Sequence, residues 1–185
     1  MKHIMLDLET LDSGNHAAIV AIGACAFDPY SFAPPTEKFY LTIDPESSIR
    51  SGGTVSGSTI KWWMEQSDEA RKQTFGAENP WTIVAALKQF NAWLCEQDKD
   101  HKQIAIWGNG ATFDNVVLRS AFNATKIVPH WHFRGDKCYR TVINLLPIEQ
   151  RPEFKRLGTA HNALDDAVTQ VCYLQQCLLK LGIRA

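Results

Sequence analysis

Residues 3–9, HIMLDLE, repeat with a period of two, which puts Ile4, Leu6 and Leu8 on one face and His3, Met5, Asp7 and Glu9 on the other. This is the pattern of a β-strand with a buried apolar face, and it fixes two carboxylates side by side on the opposite surface. Two further strands are expected. Residues 17–27 (AAIVAIGACAF) are apolar and β-branched, and Asp28-Pro29 ends them; residues 37–43 (EKFYLTI) alternate again. The short links between these three segments favour an antiparallel meander.

Helical spacing dominates the rest of the chain. Residues 44–58 are rich in Ser, Gly and Pro and read as loop. A short helix is expected from about Ser58, carrying Trp62, Trp63 and Met64, and Ser67-Asp68-Glu69 has the look of another helix start, with acids in its first turn. Residues 81–97 space Ile83, Val84, Leu87, Phe90 and Leu94 as one face of an amphipathic helix. Residues 103–108 read as a buried strand, Asn109-Gly110 as a turn, and residues 112–122 and 137–146 as helices. A long helix is predicted over 162–180, with Leu164, Ala167, Val171, Leu174 and Leu178 inward and Gly182 as its stop. Strands grouped first and then mixed with helices imply an α/β fold with a mixed sheet, and 185 residues suit one domain spanning 1–185.

Composition narrows the function classes. The net charge is −1 and 21% of residues are charged, so there is no basic excess to steer a long polyanion; a small site holding cations would have to supply its own positive field. The five cysteines are odd in number and contain no C-x-x-C pair, which argues against a disulfide framework or a cysteine-rich zinc site. His130 and His132 flank Trp131 without a partner spacing suited to zinc. The N-terminal apolar stretch is cut by Asp7, so it does not read as a signal peptide, and no run is long enough for a membrane span. A cytoplasmic protein with reduced thiols is expected.

Four acids stand out by position. Asp7 and Glu9 share a strand face, Asp114 lies in the first turn of a helix after a buried strand, and Asp166 lies about one turn into the last helix. Clustered carboxylates repel one another unless something neutralises them. Hard cations such as Mg²⁺ or Mn²⁺ prefer oxygen ligands, and two of them about 3.5–4 Å apart can clamp a phosphodiester. Taken singly, each acid has a bland alternative: a solvated strand, a helix-start acid favoured by the dipole, or a solvated helix face.

The combination resembles the DnaQ-like (DEDDh) exonuclease family. Asp7-Leu8-Glu9-Thr10 is similar to that family's first motif, and Gly110-Ala111-Thr112-Phe113-Asp114-Asn115 resembles its second. His161-Asn162-Ala163-Leu164-Asp165-Asp166-Ala167 resembles the third, where His precedes Asp by five positions and so selects Asp166 over Asp165. The resemblance implies an RNase H-like fold, a five-stranded mixed sheet with its first three strands antiparallel and helices around it. It implies 3′–5′ exonuclease activity with two divalent cations: Asp7, Glu9 and Asp166 on the first, Asp7 bridging to the second, Asp114 supporting the second, and His161 as general base. An imidazole, whose ordinary pKa is about 6.5, suits that base at neutral pH.

An exonuclease must also grip a strand end. Aromatic faces stack on bases without sequence preference, so one of Trp62 and Trp63 is a candidate base platform while the other packs inward. Thr10 is a candidate for the terminal sugar or phosphate, and Arg140 and Lys137 are candidates for phosphate contacts; Phe113 reads as core. The segment Thr59-Ile60-Lys61-Trp62-Trp63-Met64-Glu65-Gln66 resembles a branch of short, single-domain phage-type and mycobacterial-type exoribonucleases, some of them dimeric and inclined to adenylate-rich RNA. The expected substrate is thus the 3′ end of single-stranded nucleic acid, RNA ahead of DNA, with a homodimer implied only by that branch. The rivals are a single-stranded DNA exonuclease and a catalytically silent nucleic-acid-binding domain. The silent domain predicts loss of at least one acid or of the histidine, and all five are present.

Overall fold

The strand bearing the acid pair lies at the centre of the sheet. In the computed structural model, which describes residues 1–183, β1 (Lys2–Thr10) is paired antiparallel with β2 (Ile19–Phe27) and parallel with β4 (Ile104–Gly108). Outside β2 lies β3 (Lys38–Thr42), antiparallel, and outside β4 lies β5 (Asp136–Cys138), parallel, giving the order β3-β2-β1-β4-β5. The mixed five-stranded sheet and its antiparallel first three strands agree with the expectation.

Both faces of the sheet are covered, which explains the nearly unbroken apolar run of β2. Ile4, Leu6 and Leu8 join a core with Ile83, Leu87, Phe90 and Leu94 of α4 (Ile83–Gln97) and Val117, Leu118 and Phe122 of α5 (Asp114–Ala124). Met5 points the other way, to Cys25, Trp107 and to Ala167, Val171, Leu174 and Leu178 of α7 (Ala163–Lys180). Burying a Leu, Ile or Met side chain contributes about 1.5–3 kcal/mol. A one-residue slip of β1 would expel three such side chains and drive Asp7 and Glu9 into the α4–α5 core, so the apolar pattern itself sets the register that presents the acids.

Two glycines bring helix starts onto this strand surface. Gly23 is the β2 partner of Asp7, and a Cβ placed on it would lie 2.1 Å from the Ala163 carbonyl carbon, so the first turn of α7 rests directly on the backbone there. Gly108 ends β4, and a Cβ on it would lie 2.4 Å from Asn115 Oδ1 and 3.0 Å from Asp114 Cβ. Side chains at these two positions would hold the N-termini of α7 and α5, with Asp166 and Asp114, away from β1.

The remaining elements include two corrections. The stretch 44–58, expected as loop, contains α1 (Pro45–Arg50) and the first residues of α2 (Gly57–Glu65). Asp44 caps α1 by accepting from the amides of Glu46 and Ser47, Pro45 occupies a favourable first-turn position, and Arg50 pairs with Glu46. Local end effects stabilise this short helix where its Ser-rich composition suggests none. The helix expected over 137–146 is shortened to α6 (Tyr139–Ile143), because Asp136–Cys138 is taken up as the edge strand β5. The helix starting after Ser67 is α3 (Asp68–Phe75), capped by Ser67 as expected. Gly182, at φ 74°, follows the end of α7. All five cysteines are unpaired, and no helix among the described residues is long and apolar enough to cross a membrane.

Candidate active site

Residues remote in sequence meet on the α7 side of β1. Asp7 and Glu9 project from the strand, and Asp166 reaches them from the first turn of α7; each of the three offers a carboxylate oxygen within 4.8 Å of the others. Asp114, the first residue of α5, lies outside that trio but acts electrostatically on both Asp7 and Glu9. It is only 4% exposed.

The electrostatics are those of a site built for cations. Burial, reinforced by the charges of Asp166 and Asp114, pushes the Glu9 carboxyl up to about 8. Asp7 is held well above its ordinary value by burial and by Asp114, Glu9 and Asp166, with a hydrogen bond from Gln170 Nε2 to Asp7 Oδ1 (2.8 Å) opposing. Burial raises Asp114 to about 7, against backbone hydrogen bonds and the Arg140 charge. Glu9 Oε1 is buried with no hydrogen-bond partner, an arrangement that costs on the order of 1–3 kcal/mol unless something else satisfies the oxygen. Of the protein's own cations, Arg156 ion-pairs with Asp166 and Arg140 acts on Asp114. Two guanidinium groups facing four carboxylates leave the cluster under-neutralised. An all-oxygen donor set with an orphaned buried oxygen fits hard divalent cations.

His161 stands at the rim of the cluster. Its backbone is left-handed, at φ 63°, and its amide donates to Asp166 Oδ2 (3.3 Å). The next residue, Asn162, caps α7 by accepting from the amides of Leu164 and Asp165, and its own amide group donates to Gln73 Oε1. The cap therefore fixes the chain direction at His161, and a left-handed non-glycine residue that costs roughly 1–2 kcal/mol is held by these surrounding bonds. Asp165, one position before Asp166, accepts from the Thr159 amide and secures the preceding turn instead of joining the acids.

The imidazole packs edge-on against Trp62, with centroids 4.8 Å apart, and more loosely against Trp63. The two tryptophans differ sharply. Trp63 is 4% exposed, packs on Phe75 and donates its indole N–H to the Thr10 carbonyl (2.9 Å); Trp62 is 39% exposed. The Thr10 hydroxyl donates to the Asp12 carbonyl (2.7 Å), so its proton is already engaged. Arg140 is exposed, donates to the Asn109 carbonyl and lies against Gly110 in the second motif. Lys137 is turned to the Arg134 carbonyl, and Phe113 packs against the core as expected.

A cleft of about 110 Å³ opens beside the acids, lined by Asp7, Asn109, Tyr139, Phe154, Arg156, Asp166, Thr169 and Gln170. Several of these escape a reading of the sequence alone. Gln170 carries a usable signal, since it follows Asp166 by four positions and so shares its helix face. Phe154 and Arg156 carry none, because the segment around them has no periodicity.

With the geometry established, comparison with known proteins places the chain. A family model described as the 3′–5′ exoribonuclease Rv2179c-like domain matches residues 2–178. The chain belongs to this family. It is also similar to an exodeoxyribonuclease of Enterobacteria phage T4, 27% identical over 124 residues, which cover 64% of this chain and 54% of the phage enzyme. The chain thus spans about half the length of that curated relative. Among solved structures, the nuclease domain of 3′hExo, a DEDDh family member bound to rAMP, aligns with a TM-score of 0.62 at 15% identity over 98% of this chain and 93% of that one. A zinc-bound E. coli ExoI–ssDNA complex aligns with a TM-score of 0.65 at 13% identity over 98% of this chain and 41% of that one. At such low identity these likenesses establish the fold, and they agree with the RNase H-like arrangement implied by the three motifs of this Rv2179c-like chain.

Proposed function

We propose that this chain is a metal-dependent 3′–5′ exonuclease acting on single-stranded nucleic acid, with RNA preferred over DNA, and that residues 1–185 form one catalytic domain working in the cytoplasm. The observation that carries the reading is the Asp7–Glu9–Asp166 cluster, with the orphaned buried oxygen of Glu9 and carboxyl groups pushed up toward neutral pH. Asp7, Glu9 and Asp166 would hold one Mg²⁺ or Mn²⁺, and Asp7 with support from Asp114 a second. Bound there, the pair would supply Lewis-acid polarisation of the phosphate and a more acidic water.

The chain's own groups account for the rest. His161, at the edge of the cluster, takes the proton of the attacking water on an imidazole nitrogen. The water oxygen bonds to phosphorus, the bond from phosphorus to the 3′ oxygen of the preceding nucleotide breaks, that oxygen takes a proton from solvent water to leave a 3′-hydroxyl end, and a nucleoside 5′-monophosphate is released. Gln170 orients the Asp7 carboxylate. Trp62 offers its exposed ring to the terminal base, while Trp63 anchors the carbonyl of Thr10 and so the sugar side of the site. Arg140, whose exposed guanidinium lies against Gly110, would take a phosphate contact. The family description favours RNA; the T4 relative, an exodeoxyribonuclease, supports single-stranded DNA as the second reading.

The test uses 5′-labelled single-stranded RNA and DNA of identical sequence, with Mg²⁺ or Mn²⁺, and with EDTA and Asp7→Ala controls. A metal-dependent ladder shortening from the 3′ end is expected, faster on RNA. A faster DNA ladder would select the second reading, and intact oligonucleotides still bound by folded protein would select a silent binding domain. Trp62→Ala should raise KM by a factor of about 5–150, the equivalent of roughly 1–3 kcal/mol of base stacking, with a smaller change in kcat. Trp62→Phe should recover most of the loss. A kcat effect as large as the KM effect would instead make Trp62 chiefly a support for the His161 ring.

A further inference from the structure

Arg156 lies on the segment 151–160, which has no regular secondary structure yet is tightly fastened on both sides of it. The next residue, Leu157, bonds Thr169 of α7 through both backbone groups: its amide donates to Thr169 Oγ1 (3.0 Å), and the same hydroxyl donates to its carbonyl (3.1 Å). Further on, the Thr159 amide donates to Asp165 Oδ2 (2.7 Å), and on the other side the Phe154 ring packs edge-on against Tyr173 at 5.3 Å. The root of Arg156 is therefore fixed at the rim of the cleft, and its long side chain is the part free to turn. That side chain pairs with Asp166 Oδ1, with the guanidinium side 40% exposed and the carboxylate side 15% exposed.

We propose that Arg156 is a phosphate-binding residue of the nuclease site, parked on Asp166 until a divalent cation takes that carboxylate. The inference rests on the exonuclease reading above. A cation on Asp166 competes for the oxygens that Arg156 now holds, and two like charges cannot share them. Once displaced, the guanidinium cannot go far, because the Leu157–Thr169 clamp is one residue away. It stays within the cleft of about 110 Å³ that Arg156 already lines together with Asp166, turning from that carboxylate toward Asn109, Tyr139 and Phe154 on the same walls. A planar five-donor fork there matches a phosphate of the bound strand, and binding would be strong because both partners are charged. Phe154, half-exposed at the same rim, adds an aromatic surface beside that phosphate.

The two roles have opposite signs, which separates them from a structural one. Arg156→Ala removes a competitor and a positive charge from the acids, so calorimetric titration with Mn²⁺ alone should show tighter binding, by about tenfold for the loss of one charge-assisted hydrogen bond. With Mn²⁺ saturating, adenosine 5′-monophosphate should bind about tenfold more weakly than to wild type. Arg156→Lys, which keeps the charge but loses the fork, should restore Mn²⁺ affinity toward wild type and leave monophosphate binding impaired. Unchanged monophosphate affinity in both variants, or weaker Mn²⁺ binding in Arg156→Ala, would overturn the proposal. Wild-type protein that binds no Mn²⁺ would overturn the metal-site reading itself and this inference with it, whereas wild type that binds Mn²⁺ and monophosphate with both variants unaltered would overturn the Arg156 role alone.

Discussion

Glu9→Gln is expected to silence cleavage and at the same time to stabilise the metal-free protein at alkaline pH. Loss of a group that merely orients a metal ligand typically costs 10–100-fold, so loss of a proposed ligand should cost more than about a hundredfold in turnover. The stability effect comes from linkage between protonation and folding. Glu9 titrates at about 8 in the folded chain against an ordinary 4.5, and Asp114 at about 7 against 3.8. Over that interval the folded state holds more protons than the unfolded one, so stability is fullest below the ordinary carboxylate range and falls as pH rises toward about 8. A tenfold change in proton affinity corresponds to about 1.4 kcal/mol, so removing the Glu9 charge is worth on the order of a few kcal/mol at the alkaline end. Gln keeps the shape of Glu9 and cannot ionise. Thermal melts in EDTA should therefore show wild-type Tm falling between about pH 5 and pH 8, a shallower fall for Glu9→Gln, and a variant more stable than wild type only at the upper end. Added Mn²⁺ should raise the wild-type Tm far more at pH 8 than at pH 5, because protons compete for its ligands. A Glu9→Gln protein less stable than wild type at pH 8 without metal would mean that Glu9 is a structural acid.

The same cluster illustrates how far residue patterns reach. Period-two alternation in β1 and β3 and helical spacing in α4 and α7 are properties of one contiguous segment; α4 and α7 each bury one face, whereas β1 is covered on both sides and β3 is part-buried from Phe39 to Thr42, so in the strands the alternation sorts side chains between two packed faces. β5 is three residues long and α1 six, too short for either period to register, and each depends on things periodicity does not see: a neighbouring strand edge for one, the Asp44 cap for the other. The acids and His161 were legible through motif order. Their convergence was not, since it depends on Gly23 and Gly108 admitting two helix starts against the sheet, and a glycine gives no sign in sequence of what will pack on it. Arg156 depends on a clamp between Leu157 and Thr169 that spans twelve positions and leaves no local pattern.

Replacing His161 should separate chemistry from metal binding. The imidazole is not among the three groups whose oxygens converge, and the bond from this residue to Asp166 is made by its backbone amide, which His161→Asn and His161→Ala both retain. Removing the ring should thus leave the carboxylates in place while deleting the proton acceptor. General-base catalysis is typically worth 10²–10⁴-fold, so single-turnover cleavage should slow by about that factor with Mn²⁺ affinity nearly unchanged. The choice of substitution matters because φ is 63°. Alanine in that conformation bears a steric cost of roughly 1–2 kcal/mol, whereas asparagine visits it more readily, so His161→Asn is the better probe and His161→Ala the control for backbone strain. If both variants lose turnover alike while calorimetry shows wild-type Mn²⁺ binding, the ring itself is the catalytic group. If Mn²⁺ affinity falls in step with turnover, and falls less in His161→Asn than in His161→Ala, then His161 serves the site by holding the left-handed turn that aims Asp166, and the base must be sought elsewhere.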